Sequence, residues 1–292
     1  MDYSPPVETV SFHVWQPCNM HCKFCFATFN DVRSTVLPAG HLTRSQALEA
    51  VELLVLAGFR KVTFAGGEPF LCPWLDELVR MAKQHGAQTC VVTNGSLLSA
   101  ELLRKYEQAL DWLVLSVDSL ATPTLREIGR MTRGRPMDAE KYLALCRLVD
   151  VTDVSLRVNT VVSRANLDED LSEFIRLVRP VRWKVMQVLP VRGQNSGKVE
   201  PYLVSDEEFE AYVARHRPLV ADSTALIVET NDDLIGSYAM LDPAGRFFDN
   251  TRGCYHYSES ILDVGVPRAI SQVSISRAKF VSRGGHYYLP VT

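Results

Sequence analysis

The chain has 292 residues, 47% of them hydrophobic, which is enough to enclose one large core with extensions. Its 31 basic and 34 acidic residues leave a net charge of -3; this excludes the polyelectrolyte signature of a nucleic-acid-coating protein and requires any anionic ligand to be met by local charge. There is no apolar run of about eighteen residues to span a bilayer, and the opening MDYSPPVETV lacks the basic-then-apolar order of a secretory leader. A cytoplasmic protein without membrane attachment is expected.

The first strand is expected at residues 10–15 (VSFHVW). Directly after it, PCNMHCKFCF crowds three of the seven cysteines, Cys18, Cys22 and Cys25, into one short loop. Three thiolates so close repel one another unless a cation holds them, and zinc or an iron–sulfur cluster would do so. His21 offers a fourth ligand for zinc, whereas a 4Fe-4S cluster on three cysteines keeps one iron open for a ligand. Cys72, Cys90, Cys146 and Cys254 are scattered singly and read as buried free thiols, and the odd total does not look like a secreted disulfide framework.

A helix over 43–57 follows, with Thr43 as its cap and Gly58 closing it. Strand 61–66 (KVTFAG) runs into Gly66, Gly67, Glu68 and Pro69. Beyond it, strands at 88–94, 112–119, 154–162 and 182–190 alternate with helices at 73–85, 99–109, 138–149 and 168–178. Six strands separated by five helices imply parallel pairing with right-handed crossovers, in a barrel-like or open α/β sheet. After Pro190 the rhythm breaks: VRGQNSGKVEPYLVSD is loop-like, 206–216 reads as a helix, and the remainder as short strands and turns. Residues 1–190 are accordingly expected to form the α/β core, and 191–292 an extension packed on it and closing the site.

Strand parity says which side chains face inward. Val62 and Phe64 share the face expected to meet the helices, so Lys61 points the other way; Arg157, Asn159 and Val161 lie together, and Arg182, Lys184 and Met186 lie opposite Trp183 and Val185. Up to four cations thus enter one interior. Burying them without counter-charge is prohibitive. They are either paired with interior acids such as Glu68 and Asp118, or they receive a polyanionic ligand, for which a triphosphate has suitable charge.

CxxxCxxC after the first strand, with Phe24 just before its third cysteine and GGEP after the second strand, resembles the signature of the radical S-adenosylmethionine (SAM) enzymes. The resemblance implies a partial (β/α)6 barrel, a 4Fe-4S cluster on Cys18, Cys22 and Cys25, and SAM as second cofactor. More narrowly, CNMHCKFCF, KVTFAGGEPF, TNGSLL, SVDS followed by IGR, RVNTVVSRANLDEDL, RWKVMQVL, SYAMLD, SILDVGV and RGG resemble the viperin family, over about residues 11–286. That implies removal of water from the ribose of a nucleoside triphosphate, through a 5′-deoxyadenosyl radical that takes hydrogen from C4′. The product is a 3′-deoxy-3′,4′-didehydro nucleotide that terminates viral RNA synthesis. CTP is the default substrate, with UTP and GTP open.

On matching positions, Gly66, Gly67, Glu68, Ser116 and Arg130, together with Phe24, would hold SAM. Lys61, Arg157, Asn159, Arg182 and Lys184 would grip the triphosphate, Arg157 standing where animal members carry lysine, and Tyr238 would assist proton or hydrogen delivery. A reductase, flavodoxin or ferredoxin would supply electrons to a monomer that does not contact nucleic acid directly. Two departures stand out. Animal members carry an N-terminal membrane-binding helix, whereas here the first strand begins within about ten residues; and TRGCYHYSE, with Tyr255, His256 and Tyr257, replaces a strongly basic segment, which leaves base preference open. A radical SAM enzyme acting on a peptide, and a non-catalytic iron–sulfur scaffold, are the alternatives.

Overall fold

Thr43 opens the helix Arg44–Leu56. Its hydroxyl accepts the Gln46 N–H while Gln46 reaches back to the Thr43 N–H, and Gly58 takes a positive φ of 98° just past the end. The computed structural model describes residues 3–219 and 224–286, and the expected helices are present as Leu75–Gln84, Ala100–Tyr106, Ala139–Asp150, Ser172–Val178 and Asp206–His216. In Leu75–Gln84 the buried residues Leu75, Leu78, Val79 and Ala82 fall on one face at helical spacing, which is what docks the helix on the sheet.

The strands are β1 (Thr9–Trp15), β2 (Lys61–Gly66), β3 (Gln88–Thr93), β4 (Trp112–Ser116), β5 (Met131–Thr132), β6 (Arg135–Pro136), β7 (Ser155–Val162), β8 (Arg182–Gln187), β9 (Ala225–Glu229), β10 (Ala239–Leu241), β11 (Arg246–Asp249) and β12 (His256–Ser260). Ten form one sheet in the order β12-β11-β10-β1-β2-β3-β4-β7-β8-β9, and β5 and β6 make a separate small ladder. From β10 to β9 every pairing is parallel; β11 and β12 add on antiparallel. Among the described residues no pairing joins β9 to β12, so the sheet is an open, partial barrel of α/β type.

Parity holds along the strands. Val62, Phe64, Trp183 and Val185 are buried in the main core under the helices, and the Trp183 indole N–H donates to Thr160 Oγ1 at 3.0 Å. Each such side chain contributes about 1.5–3 kcal/mol of burial. The sequence reading did not locate β9 and β10 individually. They lie in the segment after Pro190, yet they pair in parallel at opposite ends of the six-strand run, β9 on β8 and β10 on β1. Each is short, three to five residues, and its apolar pattern is set by a sheet edge already present. Of the extension, residues 220–223 and 287–292 lie outside the described residues.

Candidate active site

The three cysteines sit in the loop that leaves the C-terminal end of β1, the end at which parallel α/β sheets build their sites. This loop is fastened on several sides. Gly67 N–H donates to Trp15 O at 2.6 Å and Glu68 N–H to Pro17 O at 3.0 Å. Lys23 N–H donates to Ile128 O at 2.9 Å, Asn195 Nδ2 to Phe24 O at 2.9 Å, and the Tyr255 hydroxyl to Phe26 O at 3.0 Å. The glycines of GGEP serve this fastening: a Cβ on Gly66 would lie 2.3 Å from Trp15 O, and one on Gly67 2.3 Å from Pro17 O.

Cys18, Cys22 and Cys25 line one cavity of about 310 Å³. Burial pushes the Cys22 thiol up to about 11 and the Cys25 thiol up to about 12, and raises Cys18 as well. Three thiols in that state become thiolates when a strong local cation binds. His21 is exposed and absent from the cavity lining, so it does not complete a zinc site. Among the described residues no three His, Cys, Asp or Glu side chains are placed to hold a single metal ion. Three cysteines spread around one cavity fit a 4Fe-4S cluster, which takes each thiolate on a different iron and leaves the fourth iron for a ligand.

Gly66, Gly67, Ser116, Arg130 and Phe24 line the same cavity. Arg130 is aimed by Asp118, which accepts its Nε at 2.7 Å and is itself fixed by the Val161 N–H at 2.9 Å. Glu68 is not among the lining residues. Its buried carboxylate turns back to accept the Thr93 hydroxyl and the Asn94 N–H, both at 2.8 Å, and the Phe70 N–H at 3.1 Å, tying the ends of β2 and β3 together. Burial outweighs those donors and pushes it up to about 7.

Deeper in the cavity, Lys61, Arg157 and Lys184 are 2%, 7% and 5% exposed, which makes them buried charges rather than a solvated face. Lys61 Nζ lies 5.0 Å over the Trp112 ring. Asn159 also lines the cavity, and its buried Oδ1 has no hydrogen-bond partner among the described residues. Arg182 is not brought to this group: it starts β8 opposite Arg157, half-buried and outside the lining. Lys184 pairs with Glu229 and donates to Tyr238 Oη at 2.8 Å. Arg283 joins the same cluster, with Nη1 3.3 Å from Glu229 Oε1. Of the three residues in the segment after Arg252, Tyr255 lines the cavity, packed against Phe29 and Phe248, whereas His256 and Tyr257 do not.

Glu229 and Arg283 were missed by the sequence reading. Arg283 lay inside the matching string RGG without an assigned role, and Glu229 ends a strand that the periodicity did not isolate. The interior acids named from sequence serve other partners: Asp118 holds Arg130, and Glu68 holds backbone and hydroxyl donors.

A family model described as the Radical SAM superfamily matches residues 14–178. A protein of Flammeovirga pacifica named S-adenosylmethionine-dependent nucleotide dehydratase is 48% identical over 281 residues, covering 96% of each chain. A Danio rerio protein named S-adenosylmethionine-dependent nucleotide dehydratase RSAD2 is 35% identical over 290 residues, covering 96% of this chain and 77% of its own. Among solved structures, Streptococcus suis SuiB bound to S-adenosylmethionine matches with a TM-score of 0.63 at 16% identity; the match covers 84% of this chain and 60% of that one. Native anSMEcpe with bound AdoMet matches with a TM-score of 0.63 at 14% identity, over 93% of this chain and 80% of that one. These two likenesses concern the fold.

Proposed function

Since the chain belongs to the radical SAM superfamily and, within it, to the S-adenosylmethionine-dependent nucleotide dehydratases, we propose that it removes water from the ribose of a nucleoside triphosphate, CTP by default, to give a 3′-deoxy-3′,4′-didehydro nucleotide with chain-terminating, antiviral use. Its cofactors are a 4Fe-4S cluster and S-adenosylmethionine. One observation carries the substrate class: three cysteine thiols and the buried cations Lys61, Arg157, Lys184 and Arg283 face one cavity. When bound, the two cofactors supply a one-electron cleavage that yields a carbon radical able to remove a ribose hydrogen.

The chain's own residues do the placing. Cys18, Cys22 and Cys25 hold the cluster; Gly66, Gly67, Ser116, Phe24 and Arg130 form the wall against which SAM lies, with the Arg130 guanidinium kept in place by Asp118 for a carboxylate. Glu68 acts from behind that wall, fixing the strand ends. Lys61, Arg157, Asn159 and Lys184, now with Arg283, grip the triphosphate and fix the ribose relative to the cysteine loop. Arg182 sits outside the lining and contributes charge from the start of β8. To Tyr238, whose hydroxyl is held between Lys184 and Glu229, we assign delivery of a proton or hydrogen in the reaction. The described part of the extension after residue 190 closes the site through Tyr238, Tyr255 and Arg283, with Glu229 bonded to Arg283 behind them.

Among the described residues no helix is long and apolar enough to cross a membrane. We place the protein in the cytoplasm as a monomer, served by a small flavin or iron–sulfur electron carrier. The test is anaerobic reconstitution with iron and sulfide, then SAM and dithionite, with 5′-deoxyadenosine measured in the presence of CTP, UTP, GTP, ATP or none. Strong stimulation by one triphosphate, with a nucleotide product lighter by one water, is expected. Cleavage indifferent to all four would move the substrate to a peptide or another molecule.

A further inference from the structure

Glu229 ends β9 with no exposed surface, and its side-chain bonds go to three residues that line the cavity. Met186 is its partner in register, so Lys184, two residues back on β8, is its diagonal neighbour across the strand pair. Oε1 accepts from Lys184 Nζ and, at 3.3 Å, from Arg283 Nη1; Oε2 accepts the Tyr238 hydroxyl. The partners also touch one another, with Lys184 Nζ 2.8 Å from Tyr238 Oη and the Arg283 guanidinium 3.6 Å over the Tyr238 ring.

Space-filling does not account for this arrangement, since an apolar side chain would fill the same volume without the cost of desolvating a carboxylate. What the carboxylate adds is charge and aim. Lys184 comes from β8, whereas Arg283 follows the helix Arg277–Ser282 near the C-terminus, and their shared bonds to Oε1 bring the two cations together. Arg283 Nε is buried without a hydrogen-bond partner among the described residues, which leaves it a donor for an incoming anion.

Resting on the reading of this cavity as a triphosphate site, we propose that Glu229 is its positioning residue: it keeps Lys184 charged and aims Lys184 and Arg283 as a paired receptor for phosphate oxygens. Burial drives Lys184 down toward about 7, Glu229 opposes that fall, and Arg157 on β7 and Arg283 add to it. Tyr238 faces the same ammonium as a neutral phenol, because burial holds its hydroxyl well above the usual range. Without the Glu229 charge, Lys184 gives up its proton at lower pH.

The experiment is anaerobic titration calorimetry of the cluster-loaded protein with inorganic triphosphate across the neutral pH range, on the native chain, Glu229→Gln and Arg283→Met. The ligand's own titration is common to all three. In the native protein affinity falls as pH rises through the Lys184 titration. Glu229→Gln moves that fall down by about one to three pH units, with affinity lower by about tenfold per unit in the window between. Arg283→Met removes a repelling cation and moves the fall up. Shifts of opposite sign support the assignment; an unshifted midpoint in either variant, or shifts of one sign, overturns it. If Glu229→Gln does not fold, Glu229→Asp, which keeps the charge but withdraws it from Lys184 Nζ, takes its place and should move the fall down by a smaller step; an unshifted midpoint there overturns the assignment too. A native protein that binds triphosphate at no pH would instead overturn the nucleotide reading on which the assignment rests.

Discussion

Replacing Gly67 with alanine puts a methyl group where the backbone of the cysteine loop already runs. The Cβ would meet Pro17 O at 2.3 Å and Gln16 O at 2.4 Å, against the 3.0 Å below which real Cβ contacts essentially never fall. Both atoms belong to the backbone, so no rotamer change relieves the clash and the loop must shift by about 0.7 Å. That shift strains two bonds that pin the loop, Gly67 N–H to Trp15 O at 2.6 Å and Glu68 N–H to Pro17 O at 3.0 Å. Overpacking costs about 1–3 kcal/mol and each weakened buried bond about 1 kcal/mol, offset by about 0.5–1 kcal/mol from a stiffer unfolded chain. The net, about 2–4 kcal/mol, falls on the residues that carry the cysteines. Gly67→Ala should therefore remain folded and melt about 3–8 °C lower. It should incorporate less than about half the native iron and cleave SAM at least about tenfold more slowly, because sub-ångström misplacement is enough to cost reactivity. Gly86→Ala is the control: nothing lies within 4 Å of its Cβ position, and its cost is confined to a φ of 82°. The assays are iron and sulfide per chain, thermal melting, and 5′-deoxyadenosine formation. Full cluster loading with SAM cleavage within about twofold of native would refute the packing argument.

Cys25→Ser should abolish iron incorporation and SAM cleavage while leaving the far-ultraviolet circular dichroism unchanged, since the loop is held by bonds from Ile128, Asn195 and Tyr255 that the change does not touch. Lys184→Met should weaken nucleotide binding by about 10–100-fold, the worth of a charge-assisted bond, while SAM cleavage without nucleotide survives; equal loss of both would contradict its place on the triphosphate. Asp118→Asn releases the Arg130 guanidinium and should raise the KM for SAM about tenfold with little change in triphosphate affinity measured by calorimetry. His13, enclosed against Phe29 and Phe248, is lowered by burial from 6.5 to about 4. The unfolded chain takes up that proton first, so stability present above pH 6.5 is lost as pH falls toward about 4, by roughly 3 kcal/mol. Glu68, raised from 4.5 to about 7, adds an opposing slope over much of the same window. The His13 contribution is therefore read as the difference between urea titrations of the native chain and His13→Phe, which should change by roughly 3 kcal/mol between pH 6.5 and about 4; a difference that stays constant with pH would contradict it.

The parts of the molecule that obey a short-range rule were legible. Thr43 capped its helix, and the alternation in KVTFAG and RWKVMQ put Val62, Phe64, Trp183 and Val185 under the helices and Lys61 and Lys184 in the cavity. Cysteine spacing placed three thiols on one loop, and that loop lines the cavity as the chemistry of an open-iron cluster requires. Parity alone misjudged depth: Arg182 shares its face with Lys184 and Met186, but at the start of β8 it lies outside the cavity. Long-range partners were not legible. Glu229 meets Lys184 only because β9 joins the sheet beside β8, and Arg283 reaches both from more than fifty residues further along, as a 54-residue separation to Glu229 shows. The reason GGEP needs its glycines was likewise hidden, since the crowding atoms, Trp15 O, Gln16 O and Pro17 O, belong to a different strand end.

The measurement that tests the central claim most directly uses the nucleoside triphosphate that best stimulates SAM cleavage, carrying deuterium at ribose C4′. After anaerobic turnover, the 5′-deoxyadenosine and the nucleotide product are weighed by mass spectrometry from the same reaction. Transfer of one deuterium into 5′-deoxyadenosine, matched by a nucleotide that has lost that deuterium together with its 3′-hydroxyl and nothing else, is the expected result. 5′-Deoxyadenosine without deuterium, or a nucleotide recovered unchanged, would contradict ribose dehydration in this cavity.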